Sequence, residues 1–213
     1  IAMAVTLFLV RTPTHLFSYG SLHGRFGKLL AVNGPTVTAA SLVEVGRAGD
    51  GDTVTVMPGE SRALKLQSDG GKITEVLRYT TIERMDGYVQ LRPNCGSFKT
   101  KKEGAYQVTV EPGNPVVRHL YQGKDGQGNW TGPVVHDGNC LRIHGAVSVP
   151  ERGILIHEAP NVSWLIGCIS PRNLGNFQTA LTHRPRTNES FVAMTELFQF
   201  IGRERANFFV LDW

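Results

Sequence analysis

The chain has 213 residues, of which 41% are hydrophobic and 19% charged, and its formal net charge is +4. This length can bury a substantial core, and the composition is that of an ordinary globular protein, which excludes the disordered and collagen-like classes. No apolar stretch reaches the roughly 20 residues of a membrane-spanning helix, so we expect no membrane insertion. The basic residues are scattered and form no nucleic-acid motif, so we expect no nucleic-acid partner.

The first residues predict no secretion signal. Residues 1–4 are typical of a vector-derived remnant. The apolar run that they begin ends at Arg11 and has neither a basic region before it nor an evident cleavage site. We therefore expect a protein that is made in the cytoplasm without its own signal peptide.

Most of the chain has the signature of short β-strands. Val5–Val10 is rich in β-branched and apolar residues, and turn signals such as Asp69-Gly70-Gly71 separate the segments that follow. For Thr36–Val45 the pattern fits a strand or a short helix equally well. Further strands are predicted at Gly27–Val32, Thr53–Val56, Arg62–Leu66, Tyr88–Arg92, Tyr106–Val110, Cys140–His144, Gly153–His157 and Phe208–Leu211.

Helical periodicity is clearest near the end of the chain. Glu189–Gly202 has residues for one helix face at spacings of three and four: Phe191, Met194, Thr195, Phe198 and Ile201. The final glycine is a typical helix stop. No internal repeat and no linker is evident. We predict a single domain over 1–213, a mainly β (β-rich α+β) fold with an antiparallel sheet or sandwich and a C-terminal helix.

The three cysteines leave at least one thiol free. Cys95, Cys140 and Cys168 form at most one disulfide, and whether Cys95 pairs with Cys140 stays open. No two of them have zinc-knuckle spacing, and we predict no metal site and no cofactor. A metal-dependent hydrolase that uses His144, His157 and a cysteine or acid is kept as a minor alternative.

A histidine and a cysteine form the strongest candidate site. Side chains alternate along a strand, so Leu155 and His157 face one way and Ile154 and Ile156 face the other. The histidine ends this predicted strand, and Cys168 follows it by eleven residues, directly after Gly167. A histidine that deprotonates a thiol is the minimal equipment for nucleophilic catalysis, whereas a buried, inert cysteine is the structural alternative.

Gly167 has a physical use in such a site. Glycine permits a positive φ and leaves the thiol unobstructed, so that backbone N–H groups, including that of Cys168, form a candidate oxyanion hole. The catalytic interpretation also predicts a pKa of the Cys168 thiol below its ordinary value.

These residues resemble a known family. Ile154–His157 together with Gly167-Cys168-Ile169 looks like the histidine and Gly-Cys-Ile signature of L,D-transpeptidase catalytic domains, in particular their shorter-spaced relatives among type VI secretion effectors and phage or secretion-cluster domains. Gly104-Ala105-Tyr106 is similar to an upstream strand of those domains. The resemblance covers about sixteen residues closely and the rest loosely. The chain departs from the family pattern around the cysteine, where Trp164-Leu165-Ile166 precedes and Ser170-Pro171-Arg172 follows.

The resemblance implies roles for further residues. Arg172 would supply a cation that the family carries closer to its cysteine, and Ser163 a hydroxyl. His144 is a candidate substrate-binding or orienting group, expected on a neighbouring strand close to His157, with packing as its alternative. Tyr106 is a weaker candidate for substrate binding.

The resemblance also implies a function. We expect a cysteine enzyme that acts on peptidoglycan stem peptides as an L,D-carboxypeptidase, an L,D-transpeptidase or both, with His157 as base and Cys168 as nucleophile. Such a protein would be an antibacterial effector that acts in the periplasm of a target cell, with a secretion-apparatus carrier and an immunity protein as partners. The alternative is a non-catalytic structural or adaptor module of a phage tail or secretion apparatus.

Overall fold

A computed structural model describes most of the chain, and the described residues form a mainly β protein with two α-helices. The described residues are 5–33, 41–45, 53–55, 63–66, 75–85, 106–134, 137–144, 153–172, 189–202 and 205–212. The helices are α1 (Pro115–Arg118) and α2 (Glu189–Ile201), and a 3-10 turn spans Val162–Trp164. The strands are β1 (Val5–Tyr19), β2 (Leu22–Asn33), β3 (Leu42–Val45), β4 (Thr53–Thr55), β5 (Ala63–Leu66), β6 (Glu75–Arg84), β7 (Tyr106–Glu111), β8 (Gly123–Lys124), β9 (Trp130–Thr131), β10 (Cys140–His144), β11 (Leu155–Ile156), β12 (Ile169–Arg172) and β13 (Arg205–Asp212).

Eight of the strands form a closed barrel in the order β1-β13-β7-β10-β11-β12-β6-β2. Most neighbours are antiparallel, but β1 runs parallel to β13 and β11 parallel to β12. The predicted β-rich fold with a helix near the C-terminus is therefore confirmed. The main sheet closes on itself because β1 pairs with β2 on one side and β13 on the other, and this leaves no exposed sheet edge.

Both faces of the first strands are buried. Leu7 and Leu9 belong to a cluster that takes residues from all eight barrel strands, so this cluster must be the interior of the barrel. Phe8 and Val10 belong to a second cluster on the outer face, together with Val162 from the segment between β11 and β12. An apolar run with both faces covered explains why β1 lacks the polar alternation of a half-exposed strand.

Helix α2 packs one face into the interior cluster. Its buried residues there are Ala193, Met194, Leu197 and Ile201, whereas Thr195, predicted for the apolar face, is exposed. The helix ends at Ile201, one residue before the predicted end. The next residue, Gly202, has a φ of 68°, the left-handed conformation typical of a helix C-terminus. Within the described ranges, no helix has the length and apolarity to cross a bilayer.

Several strand predictions are confirmed and others need correction. β10 has its predicted bounds, β1 and β2 extend well beyond theirs, and Gly153–His157 contains only the short strand β11. The undecided segment Thr36–Val45 contains strand β3, and its first residues lie outside the described ones, as does the predicted strand Tyr88–Arg92. β6 and β12 were not predicted. β12 contains Pro171, whose missing N–H argues against a central strand, yet it pairs with both β11 and β6.

Candidate functional site

His157 lies directly after β11 and is almost fully buried, with 3% of its surface exposed. Its backbone N–H donates to the carbonyl of Ile169 on β12, and its ring Nδ1 lies 2.7 Å from the carbonyl oxygen of Glu158. A carbonyl only accepts hydrogen bonds, so Nδ1 carries the proton and Nε2 is the acceptor nitrogen of the neutral ring. This is the tautomer that a general base requires.

Cys168 lies directly before β12, and its side chain is half-buried. Gly167 before it has a φ of 82°, as the sequence predicts. The thiol packs against Leu155 and receives a hydrogen bond from the backbone N–H of that residue. Burial raises the pKa of the Cys168 thiol to about 11, and the Leu155 hydrogen bond opposes this only in part. The expected lowered pKa is therefore wrong for this arrangement.

Strand register brings the two residues to one face of adjacent strands. Ile156 pairs with Ile169 in parallel and both face the interior, so His157 and Cys168 both face outward. The thiol lies beside Leu155, and His157 is its diagonal neighbour, displaced by two residues, or about 7 Å, along the strand. The eleven-residue interval between His157 and Cys168 therefore brings the chain back so that β12 pairs with β11.

The segment between the two residues is ordered by its own polar groups. Asn161 is fully buried and begins the 3-10 turn: its Oδ1 accepts from the N–H of Ser163 at 2.9 Å and from the hydroxyl at 2.5 Å. The ring of Trp164 packs against Tyr121, with centroids 4.7 Å apart. Ser163 is exposed, but its hydroxyl donates to Asn161. Its predicted contact with substrate stays a prediction.

Arg172 anchors the same segment from inside. Its guanidinium is fully buried, and Nη2 donates to the carbonyls of Ala159 and Pro160 at 2.5 and 2.6 Å. Ser170 and Ser190 add a buried network, since both hydroxyls lie 3.1 Å from the N–H of Ala159 and 2.7 Å from each other. The structure thus gives Arg172 a role in holding the loop after His157, and its predicted contact with substrate stays a prediction.

The other two predicted site residues lie elsewhere. Extending the β10–β11 register places His144 beside Gly153 and Cys140 beside His157, so the two histidines are about 13 Å apart along the strands. The expected proximity of His144 to His157 is therefore wrong. Tyr106 is buried in the barrel interior, where its ring packs against Phe208.

Sequence reasoning missed three residues around His157. Tyr121 donates its hydroxyl to Oε1 of Glu158 at 2.8 Å, and the side chain of Glu158 is buried. Cys140 is fully buried on the outward face, where burial raises its pKa to about 12. The adjacency of Glu158 to His157 was the one available signal, because the contacts of Tyr121 and Cys140 depend on long-range packing.

In the part of the chain that the structure describes, no three histidine, cysteine or acidic side chains are grouped to hold a metal ion. Comparison with known proteins gave no match: no family model, no curated protein and no solved structure is similar to this chain. The resemblance to L,D-transpeptidases therefore depends mainly on the residues from Ile154 to Ile169.

Proposed function

We propose that the chain is a cysteine-dependent acyl-transfer enzyme that acts on peptidoglycan stem peptides. The observation that carries this proposal is the hydrogen bond from Nδ1 of His157 to the carbonyl of Glu158, on the strand beside Cys168. It holds the ring in the tautomer of a base, and Gly167 presents the thiol in a turn of positive φ. Both side chains lie on the same face of the sheet.

The chemistry needs only these two side chains. Nε2 of His157 accepts the proton of the Cys168 thiol as Sγ attacks the substrate carbonyl, and the imidazolium then returns a proton to the leaving amine. An acyl-enzyme thioester remains. Water as acceptor gives carboxypeptidase action, and an amine gives cross-linking or exchange.

The high pKa of Cys168 determines when the proton moves. A thiol with a pKa near 11 is protonated at neutral pH, so the active site does not hold a preformed thiolate. Proton transfer to His157 must accompany substrate binding or attack. A side-chain rotation must first close the diagonal separation, because a base acts within about 2.6–3.2 Å of the group that it deprotonates.

The substrate class depends on the resemblance. The histidine and Gly-Cys-Ile elements are similar to those of L,D-transpeptidases, which supports a stem-peptide carbonyl as the electrophile. We extend the proposal to an antibacterial effector that acts in the periplasm of a target cell, with a secretion carrier and an immunity protein as partners.

A second candidate function is a non-catalytic module of a phage tail or secretion apparatus. Cys168 packs against the cluster of Val117, Cys140 and Leu155, and its pKa is raised; both observations favour this alternative, because a buried thiol of high pKa is typical of a structural cysteine.

The test is incubation of the protein with tetrapeptide- and pentapeptide-bearing muropeptides, with the products read by mass. We expect loss of the terminal residue or its exchange. Cys168→Ala should abolish the reaction, whereas Cys140→Ala, the matched loss of a neighbouring thiol, should retain it. Products that are equal with and without Cys168 would exclude cysteine catalysis, and no product from any muropeptide would favour the structural module.

A further inference from the structure

Lys28 lies in the middle of β2, on the outer face of the barrel and among apolar side chains. It is opposite Val10 on β1 and between Phe26 and Leu30 on its own strand, and these three neighbours are buried members of the outer cluster. The Lys28 side chain is itself partly buried, and its ammonium donates to the hydroxyl of Thr80 on β6 at 3.4 Å. The amine therefore reaches the surface with part of its hydration removed.

A second cation lies beside Lys28 on the same face. Lys28 is opposite Thr80 in the antiparallel register of β2 and β6, so Arg78 is its diagonal neighbour at roughly 7 Å. Arg78 is exposed, and among the described residues neither cation forms an ion pair. Glu83 of β6 faces the barrel interior, where it pairs with two arginines. The two cations therefore lie side by side without a carboxylate between them.

This environment favours the neutral form of the Lys28 amine. Burial lowers its pKa most, and the positive charge of Arg78 lowers it further. A lysine that is desolvated beside another cation is an activated nucleophile for carbonyl compounds, because only the neutral amine has an electron pair to donate. The guanidinium of Arg78 keeps its charge and has the planar geometry that binds carboxylates.

We propose that Lys28 condenses reversibly with the carbonyl group of a small 2-oxo acid whose carboxylate binds Arg78. The carboxylate of such an acid is attached directly to the carbonyl carbon, so one small ligand reaches both side chains. The amine nitrogen attacks the carbonyl carbon, protons move from nitrogen to oxygen, and the carbinolamine loses one water molecule to give an imine. The reaction consumes no oxidant or reductant, and it is independent of the function proposed for Cys168.

The test is incubation of the folded protein with pyruvate and sodium cyanoborohydride at pH 7, with modified lysines located by peptide mass spectrometry. The reductant traps each imine as N-(1-carboxyethyl)lysine. We expect Lys28 to be modified about tenfold faster than Lys124, an exposed lysine on β8, and this difference should disappear in urea. Equal rates at the two lysines of the folded protein would overturn the proposal.

The contact with the carboxylate is tested with methyl pyruvate, the neutral ester of the same ligand. Arg78→Gln should lower the ratio of pyruvate to methyl pyruvate trapping at Lys28 about threefold. The ratio is the correct measure, because loss of the Arg78 charge also raises the pKa of the amine and slows both reactions. Arg118→Gln, at an exposed position on α1, should leave the ratio unchanged. An unchanged ratio in Arg78→Gln would overturn the proposal.

A third variant separates this site from the candidate catalytic residues. Cys168→Ala should be modified at Lys28 at the rate of the parent protein, since Cys168 precedes β12 and Lys28 lies on β2. A rate at Lys28 that falls with the loss of the thiol would overturn the proposal. Muropeptide conversion by the parent protein is measured separately, so failure of either proposal leaves the other testable.

Discussion

The two ends of the β10–β11 strand pair each carry a histidine on the outward face, in opposite environments. His144 is exposed, and its Nε2 lies 2.7 Å from the hydroxyl of Thr109. His157 is buried, and its Nδ1 is held by a backbone carbonyl beside the strand of Cys168. Alternation along a strand places both histidines on the same face, and only the register separates them. Residue type and face are therefore insufficient to assign a site.

The largest expected difference between the two histidines is their effect on enzymatic activity. His157→Ala should lower kcat/KM for muropeptide conversion by about 10²- to 10⁴-fold, because it removes the general base. His144→Ala should change it less than about threefold, since that ring lies about 13 Å away along the strands. Mass-based product rates measure both. Losses of equal size would contradict the separation of the two ends.

The second test concerns the thiols on that face. With a pKa near 11, Cys168 in the folded protein should react with iodoacetamide at pH 8 about a hundredfold more slowly than an unfolded cysteine, since its thiolate fraction is lower. Cys140, with a pKa near 12, should react more slowly still. Peptide mass spectrometry from pH 7 to 10 measures the two rates.

The same pKa has a consequence for stability, with a defined sign. The folded state keeps the thiol proton at a pH where the unfolded chain has lost it, so the unfolding free energy should fall as pH rises from about 9 towards 11. Cys168→Ala should reduce this fall.

In the alkylation experiment, a midpoint below the ordinary cysteine pKa would contradict the raised pKa of Cys168 and indicate a preformed thiolate–imidazolium pair.

The smallest test compares the arginines of the two regions. Arg172→Met should lower the unfolding free energy by about 3 kcal/mol, because it removes buried, charge-assisted hydrogen bonds to two carbonyls. Arg142→Met should cost about 1 kcal/mol, since the bidentate pair that Arg142 forms with Glu111 is partly exposed. Urea unfolding measures both. Equal costs would show that the loop after His157 does not depend on Arg172.

Much of the fold was accessible from local patterns. The apolar runs of β1 and β2, the bounds of β10 and the extent of α2 follow from periodicity and turn residues. Strand β12 was not accessible in this way, because Pro171 argues against a strand. This strand is stabilised by its pairing with β11 on one side and β6 on the other. The face of α2 was predicted in part, since Thr195 fits the spacing but lies on the exposed side.

Some features of the candidate site likewise follow from local patterns, and others depend on tertiary packing. The outward direction of His157 and the positive φ of Gly167 follow from strand alternation and from the freedom of glycine. The carbonyl that fixes the ring, the hydroxyl of Tyr121 on Glu158 and the guanidinium of Arg172 come from the packing of the loop, which no local pattern encodes.

Local sequence patterns were enough to predict that the protein is β-rich, that a histidine ends a strand and that a glycine precedes a cysteine in a turn. These are local properties, which depend on a few neighbouring residues. Tertiary packing closes the sheet into a barrel and places His144 and His157 at opposite ends of a strand pair, and the burial that it imposes raises the pKa of the Cys168 thiol to about 11. Register and burial depend on residues distant in the chain, and these two quantities set the separation of side chains and the energy of a charge.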